Sequence, residues 1–253
     1  MLNADQVAQF SQDGFVIVRG LLDASRVEAI KQRAESIARG AQAHVPPSRL
    51  QLEPVVTKGE QNADDGANSL RKMSHVAFVD DVFRTHAMTP KILDCVEALL
   101  GPDLKLYQDQ LFMKPPRIGS RQPYHQDQPL GFHVDPADRM VTCWAALDAA
   151  TIENGCLWML PGTHKHGWID KQQWQEVEQQ AVADDLSAER PVELSPGDCS
   201  FHHGHILHSS RPNLTDKRRW GYATHYVSAH CRFVGDGDND ALLVRGRSIP
   251  GCI

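Results

Sequence analysis

The sequence predicts an α+β fold that is mainly β: a double-stranded β-helix, or jelly roll, of cupin-like type, with helices before it and on its flank. Three observations lead there. Short β-rich runs recur through the second half, turn signals separate them at jelly-roll spacing, and helical periodicity is concentrated in the first half. With 253 residues and no linker-like break in composition, a single domain over 1–253 is expected, its helical part reaching about residue 103 and its jelly-roll core running over about 104–230.

Ala4 to Gln12 reads as a short helix with Val7 and Phe10 on its apolar face, Asp13-Gly14 as a turn and Phe15 to Val18 as a strand. Asp23 caps a second helix whose stripe runs through Val27, Ile30, Ala34 and Ile37 to a stop at Gly40. From Ala41 to Ala67 the pattern dissolves around a short apolar interlude at Leu50 to Val56; this is the composition of a long loop, and one of this length suits a lid over a site. Ser69 to Val79 returns to extended structure. Asp80 to Met88 and Pro90 to Leu100 read as two helices, the second stopped by Gly101-Pro102. The β runs then follow at Leu104 to Met113, Pro123 to Asp127, Met140 to Leu147, Leu157 to Leu160, Val192 to Leu194, Ser200 to Leu207 and Arg219 to Val227, with one helix, around Lys171 to Ala183, among them.

Bulk properties narrow the function. The formal charge is −6 and no long basic run exists, so nucleic acid and anionic membranes are not expected partners; a small molecule is. No apolar stretch approaches the roughly 20 residues of a spanning helix, and the opening residues lack the basic and apolar regions of a signal peptide, so a cytoplasmic setting is expected. The six cysteines form no C-x-x-C pair, which argues against a zinc knuckle or a thioredoxin motif and for buried thiols in a reducing compartment.

Within Tyr124-His125-Gln126-Asp127, His125 and Asp127 stand two positions apart in a run with strand character, so their side chains can point the same way and grip one ion. A second histidine would complete a 2-His-1-carboxylate triad, which leaves one face of an iron(II) ion open. The segment from Phe201 to Ser210 offers four histidines. His208 is preferred, because it follows Ile206-Leu207 at the strand's end and precedes small serines; His203 and His205 are left as partners that orient a ligand or as polar surface. A rival pair, His133 and Asp135, precedes Pro136 in loop-like sequence and is not preferred.

A ferrous site of this kind commonly uses a dicarboxylate cosubstrate. Arg219 shares a strand face with Gly221 and Ala223, and a guanidinium beside two small residues makes a pocket for a carboxylate. Gln108, Gln110 and Phe112 share a face by parity; if that face is inward, Gln110 touches cosubstrate or substrate. Trp144, Trp158 and Trp220 read as core.

In order along the chain, Asp13-Gly14-Phe15-Val16-Ile17-Val18, Lys114-Pro115-Pro116, His125-Gln126-Asp127, Trp144-Ala145-Ala146-Leu147-Asp148, Glu153-Asn154-Gly155, Pro161-Gly162-Thr163-His164 and the block from Gly197-Asp198 to Arg219 resemble the phytanoyl-CoA dioxygenase (PhyH) family of iron(II)- and 2-oxoglutarate-dependent oxygenases. The resemblance implies that His125, Asp127 and His208 bind Fe(II), that Arg219 pairs with the distal carboxylate of 2-oxoglutarate, and that O2 is consumed. It further implies that Ser210 is a hydroxyl partner of that carboxylate and that Lys72 reaches the cosubstrate. An aspartate at position 127 implies hydroxylation, since halogenating relatives carry a small residue there. Two other classes stay open on the residues alone. One is a zinc hydrolase on the same His/Asp/His set, and the other is a cupin-like sensor without turnover.

Overall fold

The structure, a computed structural model, describes residues 1–60, 66–127, 133–169, 173, 176, 189–236 and 241–253. Helix α1 (Ala4–Asp13) opens on a capping box between Asn3 and Gln6 and closes on Gly14, whose φ of 84° lets its N–H reach Phe10 O. Strand β1 (Phe15–Val18) follows, then α2 (Ala24–Ala38), capped by Asp23 and burying Val27, Ile30, Ala34 and Ile37 at helical spacing. Next come β2 (Leu50–Leu52), α3 (Pro54–Thr57), β3 (Leu70–Ser74), α4 (Asp81–Ala87) and α5 (Pro90–Leu100). The remaining elements are strands: β4 (Leu104–Lys114), β5 (Gln122–His125), β6 (Val134–Asp135), β7 (Met140–Ala146), β8 (Leu157–Met159), β9 (Arg190–Val192), β10 (Cys199–His203), β11 (His208–Ser210), β12 (Arg219–Ser228), β13 (Arg232–Phe233) and β14 (Leu242–Arg245).

Among the described residues, the strands pair antiparallel in two sheets and a small ribbon. The large sheet runs β1-β10-β7-β12-β4-β3-β2, with β14 also on β4; the smaller runs β5-β11-β8-β9, and β13 pairs β6. Alternation along the central strands divides the interior in two. Val141, Cys143 and Ala145 of β7 and Trp220, Tyr222 and Tyr226 of β12 join Ile30, Phe83, Ile92 and Val96 from the helices in one core. Trp144 and Ala146 of β7 and Ala223 of β12 face the other way, toward Leu157, Met159 and Val192 of the smaller sheet. A cavity lined by residues of both sheets lies between them.

Several sequence expectations change here. The 41–67 stretch is not one loop. Its apolar interlude forms β2, which pairs β3 through Leu50↔Met73, and α3, with Glu53 between them fully buried. The strand expected at Val192 to Leu194 is Arg190–Val192. The strand expected over Ser200 to Leu207 stops at His203, where Ile206 N–H bonds back to His203 O in a turn, so His208 starts a separate strand. Asp127 lies just past the end of β5 and not within it. The strand expected at Phe15 to Val18 is β1, and with β2 and β3 it joins the large sheet, so the helical N-terminal part also extends that sheet. The helix expected around Lys171 to Ala183 lies outside the described residues apart from 173 and 176. All six cysteines are free, five of them buried.

Candidate functional site

Strand register builds the cavity wall in rungs. On the inward face of β12, Arg219 sits opposite Lys114 of β4; Gly221 is flanked by Phe112 and Ala146, Ala223 by Gln110 and Trp144, and His225 by Gln108 and Thr142. The smaller sheet faces them with His125, Leu157, His208 and Ser210, and Arg71 and Lys72 of β3 complete the lining.

His125, Asp127 and His208 are buried together, with one ligand atom of each within 4.8 Å of the others. His208 is paired with His125 across β11 and β5, their ring centroids 4.1 Å apart. Asp127 Oδ1 lies 3.9 Å from His125 Nε2 and 3.7 Å from His208 Nε2. The donor set fits a divalent metal. His125 Nδ1 donates to Pro123 O at 2.8 Å and His208 Nδ1 to Ile206 O at 3.1 Å, which fixes the tautomer with the Nε2 lone pair turned into the cluster. Burial, reinforced by His208, pushes His125 down to about 3, and burial pushes His208 down to about 4, so both imidazoles are neutral ligands at pH 7. Burial works against ionisation of Asp127, yet the surrounding imidazoles and the hydrogen bonds it accepts hold it well below the usual carboxylate range.

Arg219 is 1% exposed and burial lowers its pKa to about 10, so it keeps its charge at neutral pH. Nη2 donates to Gly155 O at 2.6 Å, while Nε and Nη1 find no hydrogen-bond partner among the described residues. Two unmet donors on a buried cation are costly unless an anion accepts them, and a carboxylate does so with both oxygens. Trp144, buried in the core as expected, also walls this pocket. Its ring lies flat across Gly221, where a Cβ would come within 1.8 Å of it, and its centroid is 5.3 Å from the guanidinium carbon. Ser210, Gln110 and Lys72 line the same cavity. Lys72 is half-buried, and burial, then Arg71, lowers its pKa.

The rival pair lies elsewhere: Asp135 bonds Arg232 at 2.7 Å on an exposed ribbon, and His133 packs on Phe233. His203 is directed away from the cluster, its Nδ1 accepting the His205 N–H and its ring packed near His164. Sequence reasoning missed Thr142 and His225 and passed over His202, one of its four candidate histidines; all three reach Asp127. Parity on β7 and β12 places Thr142 with Trp144 and His225 with Arg219, which gives each a face of the sheet and no role. Lys114, noted in the sequence within Lys114-Pro115-Pro116, is buried beside Arg219 with its amine on Ser120 O at 2.5 Å and its pKa pushed down to about 6 by burial, then by Arg219 and Arg71. Glu53 closes this end, accepting from Ser120 Oγ at 2.6 Å.

The model of the family described as phytanoyl-CoA dioxygenase (PhyH) matches residues 10–221. The peroxisomal phytanoyl-CoA dioxygenase of Homo sapiens is 28% identical over 244 residues, covering 92% of this chain and 71% of that protein. A probable phytanoyl-CoA dioxygenase of Caenorhabditis elegans is 28% identical over 249 residues, covering 92% and 78%. Among solved structures, a nickel complex of the non-haem monooxygenase ThoJ superposes with a TM-score of 0.73 at 26% identity, covering 98% of this chain and 87% of that one. EctD from S. alaskensis, with 2-oxoglutarate and 5-hydroxyectoine, has a TM-score of 0.75 at 21% identity, covering 98% and 88%, a likeness of fold alone.

Proposed function

The chain belongs to the phytanoyl-CoA dioxygenase (PhyH) family of 2-oxoglutarate-dependent non-haem iron dioxygenases, and from that premise we propose that it hydroxylates an unactivated C–H bond of a small molecule, releasing succinate and CO2. The observation that carries this reading is one cavity holding both the buried His125/Asp127/His208 cluster and the unmet donors of Arg219. Bound Fe(II), with 2-oxoglutarate and O2, supplies the oxidising chemistry: the cosubstrate loses CO2 to become succinate, and the second oxygen atom enters the C–H bond.

The chain's own residues do the rest. His125, Asp127 and His208 hold the metal with three protein atoms. Arg219 takes the distal carboxylate of 2-oxoglutarate on Nε and Nη1, Ser210 adds a hydroxyl, and Lys72 and Gln110 contribute polar contacts along the cavity. Trp144 bars the cosubstrate from shifting sideways toward β7 and excludes water there. The paired sheets fit a double-stranded β-helix with the site between its halves, and the free cysteines suit a reducing, cytoplasmic setting.

Protein loaded anaerobically with Fe(II) and 2-oxoglutarate is exposed to air with a panel of acyl-CoA thioesters, amino acids, amines and phosphonates, and succinate is measured. Substrate-dependent succinate from the parent, lost in Asp127→Ala by more than the roughly 100-fold typical of outer-shell changes, is expected. Full turnover by Asp127→Ala would refute the ligand set, and turnover that needs neither O2 nor 2-oxoglutarate would point instead to a zinc hydrolase.

A further inference from the structure

His202 of β10, Thr142 of β7 and His225 of β12 stand on a single rung, each directly opposite its neighbour in the register. All three are at most 3% exposed. Their polar atoms converge on one oxygen of Asp127. Thr142 Oγ1 donates to Oδ2 at 2.7 Å and is itself 2.8 Å from His225 Nδ1, His202 Nε2 lies 3.3 Å from Oδ2, and His225 Nδ1 lies 3.5 Å from it. The other oxygen, Oδ1, faces His125 Nε2 and His208 Nε2. The carboxylate is thus divided, one oxygen held by the sheet and one given to the cluster.

We propose that the rung His202–Thr142–His225 is a carboxylate clamp that makes Asp127 a one-oxygen metal ligand, with Thr142 and His202 as positioning residues. The inference rests on the metal reading above. A carboxylate free to turn can bind a metal through both oxygens, and a second oxygen would take one of the positions the cosubstrate and O2 need. With Oδ2 engaged by the Thr142 hydroxyl and the His202 ring, that mode costs two buried hydrogen bonds, and the protein contributes three donor atoms and no more. His225 acts one step back, donating to Thr142 Oγ1 so that the single hydroxyl proton is committed to Asp127.

The test uses Co(II) binding to the metal-free, full-length protein, read by its visible absorption and by calorimetry, beside thermal unfolding of the same samples. Thr142→Val removes the hydroxyl at nearly constant volume and is expected to weaken Co(II) by about 10- to 100-fold and to alter the absorption envelope, with Thr142→Ser restoring both. His202→Leu is expected to weaken binding and His202→Gln, which keeps an N–H donor, to recover part of it; this pair decides the matter should Thr142→Val not fold. Parent-like affinity and spectrum in both Thr142→Val and His202→Leu would overturn the clamp while leaving the metal site standing. A parent that binds no Co(II) would overturn both.

Discussion

Arg219 is the residue to which the proposed function assigns the cosubstrate carboxylate. Its guanidinium is positioned from behind by the Gly155 carbonyl, and the two donors it turns toward the cavity match a carboxylate edge. Lysine keeps the charge but offers no second parallel bond and loses the Gly155 contact. Arg219→Lys is therefore expected to raise the KM for 2-oxoglutarate by about 10- to 100-fold, the equivalent of one charge-assisted hydrogen bond, with kcat at saturation changed less; steady-state kinetics with cosubstrate varied checks it. That His125, Asp127 and His208 meet, and that Arg219 lines the same cavity, was legible in sequence because each declares itself locally, by spacing or by the small residues beside it. Thr142 and His202 were not. A threonine in an apolar strand has no signature, and His202 lies among neighbouring histidines whose roles depend on where β10 ends.

At the scale of elements, β12 and β7 touch through an absence. Gly221 has no side chain, and the Trp144 ring occupies the space where one would be. Gly221→Ala must drive the indole out of a wall buried on both faces of the sheet, and overpacking of this kind costs about 1–3 kcal/mol. Urea unfolding of the variant should show that loss, and titration with 2-oxoglutarate should show weaker binding, because the displaced ring intrudes on the cosubstrate pocket. An alanine variant equal to the parent in both would mean the ring has another place to go. The strands themselves were readable from their alternation and turns, as β4, β7 and β12 demonstrate. The fate of residues 41–67 was not, because what orders Glu53 is Ser120, far along the chain, and no local pattern announces a partner 67 positions away.

The whole molecule carries several imidazoles that folding keeps neutral. Burial pushes His86 to about 3, and burial with the neighbouring His205 and His164 pushes His203 to about 3; His125 and His208 are shifted the same way. A histidine in the unfolded chain takes its proton near the ordinary 6.5, so the stability these groups contribute is complete above that value and is lost as pH falls from there toward their folded values. The thermal midpoint of the metal-free protein is expected to fall steadily from about pH 6.5 downward. His86, whose ring nitrogens have no hydrogen-bond partner among the described residues, isolates one contribution: His86→Leu should be no less stable than the parent at neutral pH and should show a shallower acid decline. Parallel curves for the two proteins would show that His86 does not titrate in this way. Strand order across the large sheet was the least legible property at this scale, since it depends on pairings between distant parts of the chain.

One such pairing joins Phe15–Val18 to Cys199–His202. The strand that presents His202 is thus sheltered on one side by a segment synthesised some 180 residues earlier, so during translation that segment waits, unpaired, until β10 has emerged. Removing it would leave β10 as a bare sheet edge, open to adhesion between molecules, and would slacken the strand behind Asp127. Damage to the N-terminal segment would therefore register first as aggregation and loss of metal, far from where the cut was made.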